Sequence, residues 1–372
     1  MRIERPFYGD PSIGSLSLTI NHEEGCPGLP LHADTDRLDS DWPCLAPMIP
    51  PAMNYLLKRL AVLLLTLLAA SALIFGALEW LPGNAAQLIM GPEAPPEAVA
   101  ALARQLGLDQ PAWHRYLDWL HGLVRGDLGV SSAYGAPVAD LILERLALTL
   151  PLALLAMALT VVLALAAGWW AASQQGRAGD HLVMGLTQLG LAVPSFWLGM
   201  LLVMLFAVKL QWVDAGGFPG WREDLGGGLW PGLRALLLPA ISLALVQAAI
   251  LARIARSALL DIVREDFMRS ARAKGLSRRA ALWRHGLRHA AIPLLTLGGL
   301  QFANLLAGTI VIENVFTLPG LGRLMAQAIA NRDLIVVRNG VMGLAALVLL
   351  LNFAVDLLHG GIDPRLRTRT EA

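Results

Sequence analysis

The sequence predicts an all-α membrane protein with six transmembrane helices. Three observations predict it. Of 372 residues, 56% are hydrophobic and only 15% charged, whereas a soluble domain needs more charge to cover its surface. The apolar residues lie in long uncharged runs, and a run of about 18 or more spans a bilayer as a helix. Arginines crowd the segment between the fourth and fifth runs, which is how topology is encoded in such chains. Helices are the expected form because each satisfies its own backbone groups in lipid.

Residues 1–52 differ from the rest. They are rich in Pro, Gly, Asp and Glu and carry no sustained apolar run. They also lack the basic and apolar regions of a signal peptide. Met53 then opens Met53-Asn54-Tyr55-Leu56-Leu57-Lys58-Arg59 before the first run, a short basic stub of the kind that precedes a first span. The expectation is that 53–372 is the membrane domain and that 1–52 is an extension from a mis-assigned start. The other reading is a disordered cytoplasmic tail. The two cysteines, Cys26 and Cys44, both lie in this extension, so no disulfide framework supports the spans.

The six spans are expected at about 56–80, 146–172, 182–208, 235–256, 290–313 and 339–358, the fourth and sixth having the shortest runs. Pro151, Pro194, Pro239 and Pro293 fall within them or near their ends; membrane helices tolerate such prolines, often as kinks. Between spans four and five, Arg253, Arg256, Arg264, Arg269, Arg272, Lys274, Arg278, Arg279, Arg284 and Arg288 outnumber Asp261, Glu265 and Asp266. That excess places the loop in the cytoplasm, and an even number of spans then places both termini there. The long loop after span one falls outside. Pro96 with Gly107 bounds one helical stretch, and Trp113, Tyr116, Leu117 and Leu120 mark a second from Pro111. The loop is expected to be a small periplasmic cap with interfacial aromatics, the alternative being a mobile linker.

The arginine-rich loop has an internal pattern. Residues 261–273 are expected to be one helix, with Val263, Phe267 and Ala271 on one face. Gly275 follows where a left-handed turn commonly ends a helix, and Ser277 suits the N-cap of a second helix running into span five. A short rigid element projecting from a bundle suits transmission of motion from a soluble partner. By shape alone, an amphipathic helix lying on anionic lipid fits equally well.

The residues themselves decide between these. Glu265-Asp266-Phe267-Met268-Arg269-Ser270-Ala271-Arg272-Ala273-Lys274-Gly275, with Arg284-His285-Gly286-Leu287-Arg288-His289-Ala290-Ala291-Ile292-Pro293, resembles the coupling loop of binding-protein-dependent ABC importer permeases. It is most similar to the dipeptide/oligopeptide/nickel branch. The general pattern is Glu-Ala-Ala, three residues, Gly; here only Ala271 and Gly275 match, and Arg269 and Ser270 stand at the first two positions. The resemblance extends from about Met53 to Arg367. It includes Leu106-Gly107-Leu108-Asp109-Gln110-Pro111, Gly126-Asp127-Leu128-Gly129, Val193-Pro194-Ser195-Phe196 and Asp363-Pro364-Arg365. After span five, Glu313-Asn314-Val315-Phe316-Thr317-Leu318-Pro319-Gly320-Leu321-Gly322 matches the branch's outer motif. Leu81-Pro82-Gly83-Asn84-Ala85 matches less well, departing at Asn84 and Ala85.

The resemblance implies a permease subunit of a bacterial inner-membrane importer of peptides. It implies a second homologous permease, two ATP-binding-cassette ATPase subunits and a periplasmic solute-binding protein. The ATPase-coupling positions would be Glu265, Asp266, Phe267, Met268, Arg269, Ala271, Arg272, Lys274 and Gly275, with Phe267 and Met268 as apolar anchors. The chain itself holds no Gly-Lys-Ser/Thr phosphate loop: its lysines, Lys58, Lys209 and Lys274, do not follow glycine. It is therefore read as a transport subunit without cofactor, bathed in membrane lipid, with no role for nucleic acid.

Polar residues within spans are costly and face a bundle interior or a cavity. Gln188, Ser195, Gln247, Gln301 and Asn304 are the path candidates, interhelical hydrogen bonding being the other use of each. His285 and His289 have metal-ligand spacing but are flanked by arginines and lack a metalloprotease glutamate. A stand-alone secondary transporter or channel would predict buried charges or repeat symmetry, and the sequence displays neither.

Overall fold

The computed structural model describes residues 51–80, 85–91, 93–105 and 107–362. The extension read at 1–52, apart from Pro51 and Ala52, lies outside the described residues, as do the motif positions 81–84 and 363–365. The described helices belong to one compact unit, Ile49–Ala372.

Helix α1, Pro51–Glu79, is followed by three short helices: α2 (Ala85–Met90), α3 (Pro96–Gln105) and α4 (Ala112–Arg125). α5 (Val138–Ser173) is a long span; α6 (Ala178–Ala192) and α7 (Ser195–Leu202) follow it, and α7 widens into a π-helical turn at Val203–Lys209. α8 (Leu229–Val263) leads to the short α9 (Asp266–Ala273) and α10 (Arg278–Ala281). A second π turn, Leu282–Gly286, joins α10 to α11 (Leu287–Val315). α12 (Leu321–Ala330) and α13 (Leu334–Ile362) complete the chain. Among the described residues there is no strand, only an isolated bridge between Val130 and Pro137.

Among the described residues, five helices are long and apolar enough to cross a membrane: α1, α5, α8, α11 and α13. The third expected span differs. It is not one rod over 182–208 but two helices, α6 and α7, bent by 100°. Val193 takes an extended conformation, φ −98° and ψ 123°, as a residue before proline prefers, and Pro194 has no N–H to continue the ladder. Yet Pro151, Pro239 and Pro293 sit inside continuous helices, so proline alone does not break this one. Beyond the break, Gly199 of α7 is buried, and an added Cβ would lie 3.1 Å from Phe316 and 3.4 Å from Ile312. Close docking on α11 fixes the direction of α7.

α5 and α8 form the central pair, with α11 against both and α1 against α13. Association in lipid gains little from the hydrophobic effect and relies on close packing, so small residues mark the contacts. Gly168 of α5 illustrates this: a Cβ there would lie 2.6 Å from Ala255 Cβ and 3.0 Å from the Ala252 carbonyl oxygen of α8. Of the glycines in the third span, Gly190 packs similarly on Ala249, whereas Gly185 faces open space.

The two ends of the bundle are built differently. At one end α12 and the start of α13 pack beside the beginning of α5, with Val138, Leu321, Leu324 and Val336 fully or nearly buried together, and α4 packs with α1 and α13. The helices expected at Pro96 and Pro111 are α3 and α4, and α4 is packed rather than loose. Trp119 donates from Nε1 to Asn339 Oδ1 at 2.8 Å, and Asn339 donates to the Leu128 carbonyl at 2.8 Å. At the other end lie α9, α10 and the arginines.

Candidate functional site

The arginine-rich end carries the short helix α9. Its boundaries differ from the expected 261–273: Asp261 and Val263 belong to the last turn of α8, and Glu265 is extended at φ −68°, ψ 148°. The helix therefore starts after a bend, and its inward face is set by Met268 and Ala271, which are 1% and 9% exposed. Both pack with Leu259 and Leu282, locking α9 to α8 and to the turn before α11. Met268 is thus committed inside the chain, and Phe267, 38% exposed beside the His289 ring at 4.7 Å, is the apolar residue left outward. Glu265, Asp266, Arg269, Arg272 and Lys274 are exposed. Asp266 accepts from Arg269 at 3.2 Å, an exposed pair that adds little stability.

The turn after α9 has the expected form. Gly275 has φ +93°, a backbone region that other residues enter at a cost. Ser277 then caps α10, its Oγ accepting from the Ala280 N–H at 3.3 Å. Arg278 donates to the Ala172 carbonyl and to Gln175 Oε1 at 3.2 and 2.6 Å, tying this segment to the end of α5. Asp180 and Arg256 complete the end. Arg256 Nε and Nη2 donate to the two Asp180 oxygens at 2.6 and 2.7 Å, and the Gly176 N–H adds a third bond at 3.0 Å. Asp180 is 2% exposed, and this planar bidentate pair clamps α6 to α8.

The polar path candidates divide. Gln188 is exposed and accepts from Arg253 at 2.7 Å. Ser195 is half-buried as the first residue after the 100° bend. Gln247 of α8 and Gln301 of α11 each hold a shielded Oε1 without a hydrogen-bond partner among the described residues. α8 and α11 run antiparallel, with Leu243 against Gly308 and Leu259 against Gly286, so both amides fall between those contacts. Asn304 is exposed.

The segment after α11 is a tight polar knot. Glu313 is fully buried and accepts from Thr149 Oγ1, the Gly322 N–H and the Arg323 N–H at 2.6, 2.7 and 3.2 Å. Thr149 in turn accepts from the Leu321 N–H at 2.8 Å. Glu313 and Thr149 thereby cap the start of α12 from α11 and α5, satisfying donors that a helix N-terminus leaves orphaned. Gly320 is required by contact: a Cβ would lie 2.2 Å from the Glu313 carboxyl carbon. Pro319 is half-buried, and its carbonyl accepts from Arg145 at 3.4 Å.

Two family models match the chain. The "Binding-prot-dependent transport system membrane comp, N-term" model covers residues 52–153. The "Binding-protein-dependent transport system inner membrane component" model covers 164–368, which includes α8–α12 and the Gly275 turn. The chain belongs to this family. It is a permease subunit of an ABC importer, a transport component whose ATPase activity lies in separate subunits. Among curated relatives, the glutathione transport system permease protein GsiC of Escherichia coli O6:H1 (strain CFT073) is 40% identical over 315 residues. That match spans 85% of this chain and 99% of the relative. GsiC of Shigella dysenteriae serotype 1 (strain Sd197) is 39% identical over the same length and shares. A solved inward-facing MetNI methionine ABC transporter aligns with TM-score 0.47 and 17% identity, covering 60% of this chain and 96% of that one.

Some of the permease's structural residues carry no motif signal. Asp333 is fully buried and accepts from Ser131 Oγ and the Ala133 N–H at 2.5 and 3.1 Å. It also caps α13 through the Val336 N–H at 3.2 Å. Thr149, Asn339 and the Asp180–Arg256 pair were equally silent, because their partners lie 76 to 220 positions away. The sequence shows no buried charge, yet Asp180, Glu313 and Asp333 are all buried. Each is saturated by the donors just described and serves the scaffold.

Proposed function

We propose that the permease moves peptides of the dipeptide or oligopeptide class across the bacterial inner membrane into the cytoplasm. Glutathione transport, the role in its relatives' names, supports this class. In this reading the arginine-rich end and both termini are cytoplasmic, in keeping with the excess of Arg and Lys. The permease pairs with a second homologous permease, works with two ATPase subunits, and receives solute from a periplasmic binding protein. The alternative of a stand-alone secondary transporter has no support from the buried carboxylates, which are consumed structurally.

The observation that carries the coupling mechanism is the asymmetry of α9. Its inner face is locked by Met268 and Ala271, while Phe267, Arg269 and Arg272 face outward. A helix so held moves as a rigid body with whatever grips its outer face. Apolar Phe267 would anchor the contact and the arginines orient it. Closure of the ATPases would then tilt α8 and α11 together and reorient the bundle. The unpartnered amide oxygens of Gln247 and Gln301 would meet the peptide's N–H groups in a conformation that opens between α8 and α11.

The test is Arg269→Cys in a chain freed of Cys26 and Cys44, within the complete transporter. Cross-linking should join it to an ATPase subunit, and an impermeant thiol reagent should reach it only from the cytoplasmic side. Labelling from the periplasmic side of intact cells would reverse the topology and defeat the proposal.

A further inference from the structure

At the end opposite the arginines, a cleft of about 410 Å³ opens between α1 and α4, within the size range of small-ligand sites. Its wall is aromatic. Phe75 stands edge-on to Tyr116 at 5.4 Å and stacks on Trp119 at 6.1 Å. Trp80 and Trp113 flank the cleft and are 91% and 64% exposed. Its floor includes Gly76, where an added Cβ would meet nothing within 4 Å. No packing contact explains that glycine, and inside a helix it costs about 1 kcal/mol relative to alanine.

Beside the cleft, which Glu79 lines, charge is unbalanced. Arg115 pairs with Glu79 of the cleft wall. Arg338 of α13 lies over the Trp119 ring at 4.8 Å and feels the charges of both Arg115 and Glu79. One carboxylate thus serves two guanidinium groups. The Nε atoms of Arg115 and Arg338 are both shielded and have no hydrogen-bond partner among the described residues. Arg115 has the Glu79 carboxylate, but Arg338, half-buried, has no ion pair of its own among the described residues, and such a cation favours an added anion.

We propose that this cleft holds an anionic phospholipid, one acyl chain lying along Gly76 and Phe75 and the phosphate meeting Arg115 and Arg338. The occupant is a lipid rather than a free anion because the apolar cleft shares Glu79 with these arginines. Exposed tryptophans flank it, as at membrane interfaces, and α1 is a membrane span. The lipid supplies the missing negative charge and would staple the cap helix α4 to α1 and α13.

The complete transporter, purified and delipidated, would be titrated with phosphatidylglycerol, phosphatidylcholine or inorganic phosphate and read by native mass spectrometry. Phosphatidylglycerol should occupy a site lost on Gly76→Leu, which fills the cleft without a clash at Cβ, and weakened about tenfold by Arg338→Gln, the scale of one charge-assisted bond. Phosphatidylcholine should bind more weakly at that site, and inorganic phosphate should not displace the lipid. Unchanged lipid retention in Gly76→Leu would overturn the proposal, because that variant preserves the charges and the helix. Equal binding of the two lipids, or displacement by phosphate, would overturn it as well.

Discussion

The substitution Gly275→Val isolates the geometry of the turn after α9. Gly275 sits at φ +93°, and nothing lies within 4 Å of where its Cβ would be. The penalty is therefore purely conformational. A left-handed conformation costs an L-residue about 1–2 kcal/mol, and β-branching makes valine a poor occupant of it. That shifts the ratio of bent to unbent turn by about 5- to 30-fold. It is too little to unfold a bundle whose core lies elsewhere or to free α9 from its packing, but enough to loosen the turn that orients it. The assay is uptake of labelled peptide by the complete transporter in proteoliposomes, with ATP hydrolysis measured in parallel. Valine should leave the assembled complex intact while uptake per ATP falls several-fold. Gly275→Asn should recover much of the loss, since asparagine enters this backbone region more readily. Uptake by the valine variant equal to that of the parent would refute the reasoning, as would failure of asparagine to differ from valine.

Three further outcomes follow from contacts elsewhere. Glu313→Gln should destabilise the bundle by about 2–3 kcal/mol, because its NH₂ would face a donor in either orientation, the Thr149 hydroxyl at one oxygen's place or the Gly322 and Arg323 N–H groups at the other's; thermal unfolding in detergent measures it. Asp180→Asn should cost about 2–4 kcal/mol and loosen α6 from α8, the Arg256 side chain being left 26% exposed with its charge unmatched. Hydrogen exchange confined to those two helices would register the change, and unaltered exchange would contradict it. Gly168→Ala should lower stability by about 1–3 kcal/mol, as its methyl would sit 2.6 Å from Ala255 Cβ; Gly185→Ala, facing open space, is the matched control and should be neutral.

What the sequence conveyed and what it withheld divide along the range of the forces involved. Local chemistry was legible. The helices at Pro96 and Pro111, the left-handed turn at Gly275 and the Ser277 cap depend on neighbours within a few positions, and all are present. Hydropathy found the spans because it sums over a continuous stretch. It could not find the bend at Val193-Pro194, because three other prolines with the same local chemistry continue their helices. The difference lies in Gly199 meeting Phe316, a contact across 117 positions.

The same limit applies to α9. The four-residue spacing of Val263, Phe267 and Ala271 suggests one apolar face, but the chain turns at Glu265 and the face rotates to Met268 and Ala271. This correction alters the mechanism. Were Met268 an outward anchor, α9 would be held by its partner alone and could swing freely from the bundle. With Met268 buried against Leu259 and Leu282, the helix is welded to the end of α8 and to the turn that leads into α11, and a push on Phe267 would move both spans. In the proposed mechanism, rigid coupling would be a property of this chain's own packing, and Met268→Ala should uncouple ATP hydrolysis from uptake even though that side chain is buried within the chain.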